Sequence, residues 1–248
     1  NVRVPTEKAH GLQIMKMCEA WGREHKVVLL APFRFNYIKT DLFEYYNIKE
    51  SFKIRIIFSL DLLPLGKILG KVSFWIQNIS FALNSTLRVF FKKADIIFSR
   101  DFWSAYFLSL LGREVVYEIH DSPNRHFITR HAFKKINKFV VTNNFKAHEL
   151  MDTFGVQREK VFVAPNGVDL EFFNIKESKE DARMMLNLPI NKKIILYTGH
   201  LYSWKGAKTL GLAARNLRKG ILTVFVGGTR EDERRFRREY EDSENILI

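Results

Sequence analysis

The sequence predicts an α/β protein of doubly wound type, with helices packed on parallel sheets. Three observations predict it: short apolar runs of strand length recur along the 248 residues, the runs are continuous rather than alternating, and a stretch with helical spacing follows most of them. Continuous runs of Val, Ile, Phe and Tyr suit strands covered on both faces, which is the parallel arrangement.

Taken in order, residues 2–4 form the first short run, and residues 8–21 follow it with Ile14, Met15, Cys18 and Trp21 at helical spacing. Residues 26–30 are the next strand. Residues 51–93 then break the alternation: they carry seven Lys or Arg and one acid, Asp61, among aromatics such as Phe58, Phe74, Trp75 and Phe91. Basic heads beside aromatic anchors suit a helix lying on anionic lipid. Core helices with a solvated basic face fit the same residues, because Gln77, Asn78, Asn84 and Ser85 interrupt the apolar face. Strands resume at 94–98, 114–119, 138–141 and 160–163, with helices expected at 101–111 and 145–154.

After residue 163 come Pro165-Asn166-Gly167, a charged stretch at 176–183 and Pro189, which place a domain boundary near residue 174. The expected units are therefore 1–173 and 174–248. The second would hold strands at 193–197 and 222–226, a helix at 207–218 and the opening of a third strand at 244–248, too little sheet to close a core by itself. The chain opens on Asn1 without an initiator Met and ends in what looks like mid-strand, so a fragment is expected.

Forty Lys and Arg against twenty-seven Asp and Glu give a formal charge of +13, and 46% hydrophobic residues exclude a disordered chain. No apolar run reaches the length of a membrane-spanning helix. A single cysteine, Cys18, excludes an intramolecular disulfide and a Cys-rich zinc site, and fits a cytoplasmic setting.

Ligands of open α/β sheets bind at the carboxyl ends of strands, which singles out four places. Ala9-His10-Gly11 opens a helix where free N–H groups would admit a phosphate, although an ordinary turn reads equally well. His120-Asp121 puts an imidazole beside a carboxylate at a strand end, a pair that by itself is more often structural. Gly199-His200 begins a loop running to Lys205-Gly206, where an ammonium near a helix start would suit a diphosphate gaining charge as it leaves. Gly227-Gly228-Thr229 follows the next strand, with Thr229 and Asp232 at capping-box spacing. Arg100-Asp101, at a strand end, could contact an acceptor but reads better as a helix-start ion pair. The phosphate-loop and G-x-G-x-x-G spacings are absent, as are Asp-x-Asp and G-x-S-x-G, and His120, His126 and His131 fit no standard zinc spacing. The charged run 229–242, with only Phe236 and Tyr240 as an apolar stripe, reads as a solvated helix rather than a nucleic-acid surface.

The stretch Val161-Phe162-Val163-Ala164-Pro165-Asn166-Gly167-Val168-Asp169 resembles the Pro-Asn-Gly-Val-Asp signature of family 4 glycosyltransferases. Residues 9–11, His120-Asp121, Gly199 with Lys205-Gly206, and Gly227-Gly228 accompany it in the family's order. The resemblance implies a GT-B fold of two Rossmann-like domains, with 1–173 on the acceptor side and 174–248 as part of the donor side. It implies retaining transfer from a nucleotide diphosphate sugar, with no bound metal and no cofactor, to a glycan or lipid-linked acceptor of the cell envelope. Site residues carried over are His120 beside the transferred sugar, Lys205 on the departing diphosphate, and His10, Gly11, Gly199, His200, Gly227 and Gly228 around the substrates. Asn166, Gly167 and Asp169 would serve the turn. His200 stands where the family usually has Arg. The family's Glu-x7-Glu element would lie beyond residue 248, so the chain alone is expected to be inactive or nearly so.

Two other readings fit the residues: a nucleotide-sugar epimerase on the same fold, and a non-catalytic basic module on an anionic membrane surface. Expected localisation is cytoplasmic, peripheral on the inner face of the membrane. Nucleic acid is not an expected partner, since no binding motif accompanies the charge.

Overall fold

The computed structural model describes residues 2–248. Two compact units divide between Gly167 and Val168. That division falls inside the signature stretch, a few residues before the polar connection that placed the sequence boundary near 174.

In the first unit the order is α1 (Ala9–Gly22), β1 (Val28–Pro32), α2 (Leu42–Tyr45), β2 (Lys53–Ile57), α3 (Gly66–Leu69), α4 (Lys71–Phe90), β3 (Ile97–Ser99), α5 (Phe102–Leu110), β4 (Val115–Ile119), α6 (Phe127–Lys135), β5 (Lys138–Val141), α7 (Asn144–Phe154) and β6 (Val161–Val163). Strands β1 and β2 pair in parallel, and β3 to β6 form a four-stranded parallel sheet in sequence order. The apolar faces of α5, α6 and α7 meet this sheet through Leu108, Phe133, Ile136, Phe139 and Leu150, all buried. A smaller cluster holds Ile14, Met15 and Cys18 of α1 against Tyr46 and Phe52, as the helical spacing predicted. Burial pushes the Cys18 thiol up to about 11, so it packs as an inert apolar group.

Helix starts are capped where the sequence supplies a short acceptor. Asp101 takes the Ser104 N–H and Oγ–H at 2.8 and 2.7 Å, and Asn143 takes the Lys146 N–H at 2.9 Å. Asp101 is therefore a cap, and the expected ion pair with Arg100 is not formed; the guanidinium goes elsewhere.

The second unit contains α8 (Leu170–Phe173), α9 (Lys179–Met185), β7 (Lys193–Thr198), α10 (Ala207–Ala214), β8 (Ile221–Val226), α11 (Arg230–Glu239) and β9 (Ile246–Leu247), with the three strands parallel in sequence order. It does close a small core, contrary to the sequence expectation: Leu201, Ala207, Phe225, Phe236 and Tyr240 are buried together. The Phe236 and Tyr240 stripe of the charged helix α11 supplies much of it, and Thr229 with Asp232 forms the capping box.

Two further expectations are corrected. Residues 2–4 form no strand, for all their apolar composition. Within 51–93 a strand, β2, precedes the helices: Ile54 and Ile56 alternate with Lys53 and Arg55 in sequence, while the residue the strand buries is Ile57.

Candidate functional site

The register of β3 on β4 pairs Ser99 with Tyr117, so the next residues, Arg100 and Glu118, fall side by side. Glu118 is a lone carboxylate in an otherwise apolar strand and is buried. Its Oε2 meets Arg100 Nε at 3.3 Å, and its Oε1 meets His120 Nε2 at 2.8 Å. A carboxylate only accepts, so this contact is a hydrogen bond when Nε2 carries a proton.

Arg100 binds this group to the rest of the unit. Its Nη2 donates to Gln13 Oε1 of α1 at 2.9 Å and also lies against His120 Nε2. Gln13 Nε2 in turn donates to Asn166 Oδ1, so the signature asparagine joins the chain of contacts leading to His120. Lys146 of α7 donates to the His120 carbonyl. Burial depresses the Arg100 guanidinium while Glu118 opposes that shift, as befits an ion pair taken largely out of water.

His10 and Gly11 lie at the start of α1. Burial, followed by the nearby Lys8 and Arg100 charges, lowers the His10 imidazole below its ordinary value. Gly11 is fully packed: a Cβ there would overlap the Tyr46 hydroxyl and the Thr6 methyl. That hydroxyl accepts the Thr6 N–H at 2.7 Å and donates to the Thr6 carbonyl at 2.9 Å, clamping the chain that leads into α1. The missing side chain thus makes room for Tyr46.

The second unit builds its constellation from backbone. Gly199 and Gly227 end β7 and β8 with φ of +135° and +117°, values that L side chains rarely adopt. The Gly199 N–H donates to the Val226 carbonyl at 2.9 Å. A Cβ on Gly227 would lie 2.6 Å from the Gly199 oxygen, and one on Gly228 3.1 Å from Leu201 Cγ. The two loops approach this closely only because both residues lack side chains.

Lys205 reaches back to the same place, its Nζ 4.0 Å from where a Gly199 Cβ would be. Gly206, at φ +76°, turns the chain from Lys205 into α10. His200 packs within the loop itself. Its ring stacks on Tyr202 at 4.9 Å, Tyr202 stacks on Trp204 at 6.0 Å, and the Tyr197 hydroxyl donates to the His200 carbonyl at 2.7 Å. His200 Nδ1 is buried without a hydrogen-bond partner among the described residues.

The model of Glycosyltransferase Family 4 matches residues 12–172, well over half of the chain. The chain belongs to Glycosyltransferase Family 4. Among curated relatives of this family 4 chain is a D-inositol 3-phosphate glycosyltransferase of Mycolicibacterium smegmatis, 26% identical over a stretch covering 44% of this chain and 24% of that protein. A glycosyltransferase from Rickettsia africae shares the fold at a TM-score of 0.70 and 17% identity, over 98% of this chain and 65% of that one. The Anabaena protein HepE, solved with UDP-glucose, does so at 0.62 and 14% identity, over 99% and 66%. The family 4 chain thus matches about a quarter of the curated relative's length and about two thirds of each structure's. These likenesses bear out the GT-B fold.

The structure of this family 4 member draws the sequence-selected residues into two groups, each within its own unit. His10 and His120 fall beside Arg100, and Gly199, Lys205 and Gly227 converge on one another. Sequence reasoning passed over Glu118 and Gln13. A charged residue in the middle of an apolar strand is the signal that would have found Glu118; Gln13, on a helix face, carries no such signal.

Proposed function

We propose that the protein is a transferase that moves a sugar from a nucleotide diphosphate donor to a glycan or lipid-linked acceptor, in cell-envelope polysaccharide synthesis. One observation carries the reading: the Lys205 ammonium stands beside Gly199, at the strand end where the loops after β7 and β8 close on each other. A diphosphate gains negative charge as the glycosidic bond breaks, and a preorganised cation with backbone N–H groups stabilises that charge more than the ground state. Lys205 would therefore act in the transition state, in retaining chemistry without a bound metal.

Gly199, Gly227 and Gly228 would let the phosphates approach the main chain, while His200 would line the loop in place of the usual arginine. In the first unit His120 would face the transferred sugar, held through Nε2 by Glu118, with His10 and Gly11 at the neighbouring helix start. The first unit would take the acceptor and the second the donor. Peripheral contact with an anionic membrane, on its cytoplasmic face, belongs to the same reading.

Calorimetric titration of the full-length gene product with UDP and GDP tests the donor assignment. Lys205→Ala should weaken the preferred nucleotide at least tenfold, about 1.4 kcal/mol. Unchanged affinity for every nucleotide would remove Lys205 from the site. Epimerised donor accumulating without any acceptor would replace transfer by epimerisation.

A further inference from the structure

Helix α4 is built inside out. Its inward face carries Ser73, Gln77 and Ser85, all buried, together with Phe81, while Ala82 and Thr86 are buried farther round the helix. Ser85 Oγ lies 3.1 Å from Ser104 Oγ, where α4 meets α5, and Ser73 donates to the Gly70 carbonyl at 2.8 Å. Meanwhile Val72, Trp75, Leu83 and Leu87 are half or more exposed. At 100° per residue these four fall on one side of the helix, as a single stripe. A soluble surface helix turns that stripe to the core, and a contiguous exposed apolar patch marks an interaction surface.

The neighbouring elements extend the patch. Phe58 and Leu60, just after β2, Ile68 of α3 and Phe91 at the end of α4 are also exposed. A groove of about 450 Å³ runs between Ile56, Phe58, Leu87 and Phe91, with Arg88 and Lys92 among its lining residues.

Charge selects the occupant. Lys53, Arg55, Lys71, Arg88, Lys92 and Lys93 are exposed around the patch. Asp61, the one acid between residues 51 and 93, has a side chain only 3% exposed and lies 3.7 Å from Arg34. An apolar face rimmed by cations, with no exposed acid in the stretch, complements an anionic lipid surface. A second copy of the chain would bring its own cations against these. Among the described residues no helix is long and apolar enough to cross a membrane, so the fitting geometry is a helix lying in the interface.

We infer that the outward stripe of α4, with the groove against β2, docks the protein on an anionic bilayer, Trp75, Leu83 and Leu87 entering the acyl boundary while Arg88 and Lys92 meet headgroup phosphates. This deepens the membrane contact named in the proposed function, yet it rests on the surface of the first unit and not on the donor chemistry.

The test is co-sedimentation of the full-length gene product with vesicles of phosphatidylcholine alone or mixed with phosphatidylglycerol. Binding to the anionic vesicles should be at least tenfold tighter and should weaken with salt. Leu83→Glu with Leu87→Glu should weaken it at least tenfold while leaving the thermal melt unchanged, since both side chains are solvent-facing. Arg88→Gln with Lys92→Gln should also weaken it, by about fivefold per charge, and flatten the salt dependence. Lipids brominated in the acyl chain should quench fluorescence in the wild type and much less in Trp75→Phe. Equal affinity for both vesicle types, no vesicle binding, or unaltered binding in the Leu83/Leu87 variant would overturn the inference. So would a concentration-dependent dimer abolished by that variant in a protein that ignores vesicles. Nucleotide release with a soluble acceptor, measured without vesicles, keeps the two readings apart: vesicle binding without turnover sinks the transferase alone, and turnover without vesicle binding sinks the docking alone.

Discussion

The two units place their candidate site residues at the same topological position, the carboxyl ends of parallel strands, and build the two groups from opposite materials. In the first, Arg100, Glu118 and His120 interlock as side chains, and Gln13 and Asn166 extend the set. In the second, Gly199 and Gly227 contribute shape and backbone, and Lys205 brings an ammonium beside them. A buried network ties its members to the stability of the fold, because removing one leaves another's charge or hydrogen-bonding group buried without it. In the second group only the exposed Lys205 is free of that tie, since Gly227 is packed against a backbone oxygen. The difference teaches where a substitution would cost folding and where it would cost only binding.

The largest expected effect breaks the first group. Arg100→Ala should lower unfolding free energy by about 3 kcal/mol, since it leaves the Glu118 charge buried and unpaired. Chemical denaturation measures it, and a double variant replacing both Arg100 and Glu118 by apolar residues of similar size should regain most of the loss. If the single and double variants are equally unstable, the ion pair is not what couples the site to the core.

Next comes Gly227→Val. The added Cβ meets a backbone oxygen, which cannot swing aside, and the positive φ strains any L residue. A loss of about 2 kcal/mol of stability, with donor affinity reduced at least tenfold, is expected from strain and overpacking of this size. Normal donor affinity in a folded Gly227→Val protein would show that the loop does not touch the ligand.

Lys205→Ala sharpens the comparison from the other side. Its melt should stay within roughly 0.5 kcal/mol of the wild type, as for an exposed side chain, while turnover falls at least tenfold. A large fall in the melt would mean that the second group is as interlocked as the first.

The smallest effect is a pH dependence at His10. Its folded-state imidazole titrates below the ordinary 6.5, chiefly because burial penalises the imidazolium. The unfolded chain then binds more protons, so this contribution to stability is complete above pH 6.5 and is lost as pH falls through the lowered folded value. Melts between neutral and mildly acidic pH should show that decline, and His10→Asn should flatten it. An equal decline in both proteins would assign the proton uptake to another group.

Much of this was legible in the sequence where burial leaves a pattern. The strands at 138–141 and 193–197 were found almost to the residue because parallel strands are apolar on both faces, and the α11 stripe because Phe236 and Tyr240 stand alone among charges. Strand β2 was hidden because its alternation lies inside a basic aromatic stretch whose dominant periodicity is helical. Arg100 was found but misassigned, since its partner lies eighteen residues on and only the β3–β4 register brings them together. Gly11 was chosen for phosphate approach, whereas its packing answers to Tyr46, a residue thirty-five positions away. The inside-out helix α4 was half legible: the apolar and basic residues were plain, but which face was buried was not.

The most direct measurement is a donor screen on the full-length gene product, following nucleotide release from UDP-, GDP- and ADP-sugars with and without lipid-linked acceptors. Acceptor-dependent release from one donor, abolished or cut at least tenfold in Lys205→Ala, is the predicted result. Release from no donor under any acceptor, in a protein that melts cooperatively, would contradict the transferase reading and leave the family signature marking a fold alone.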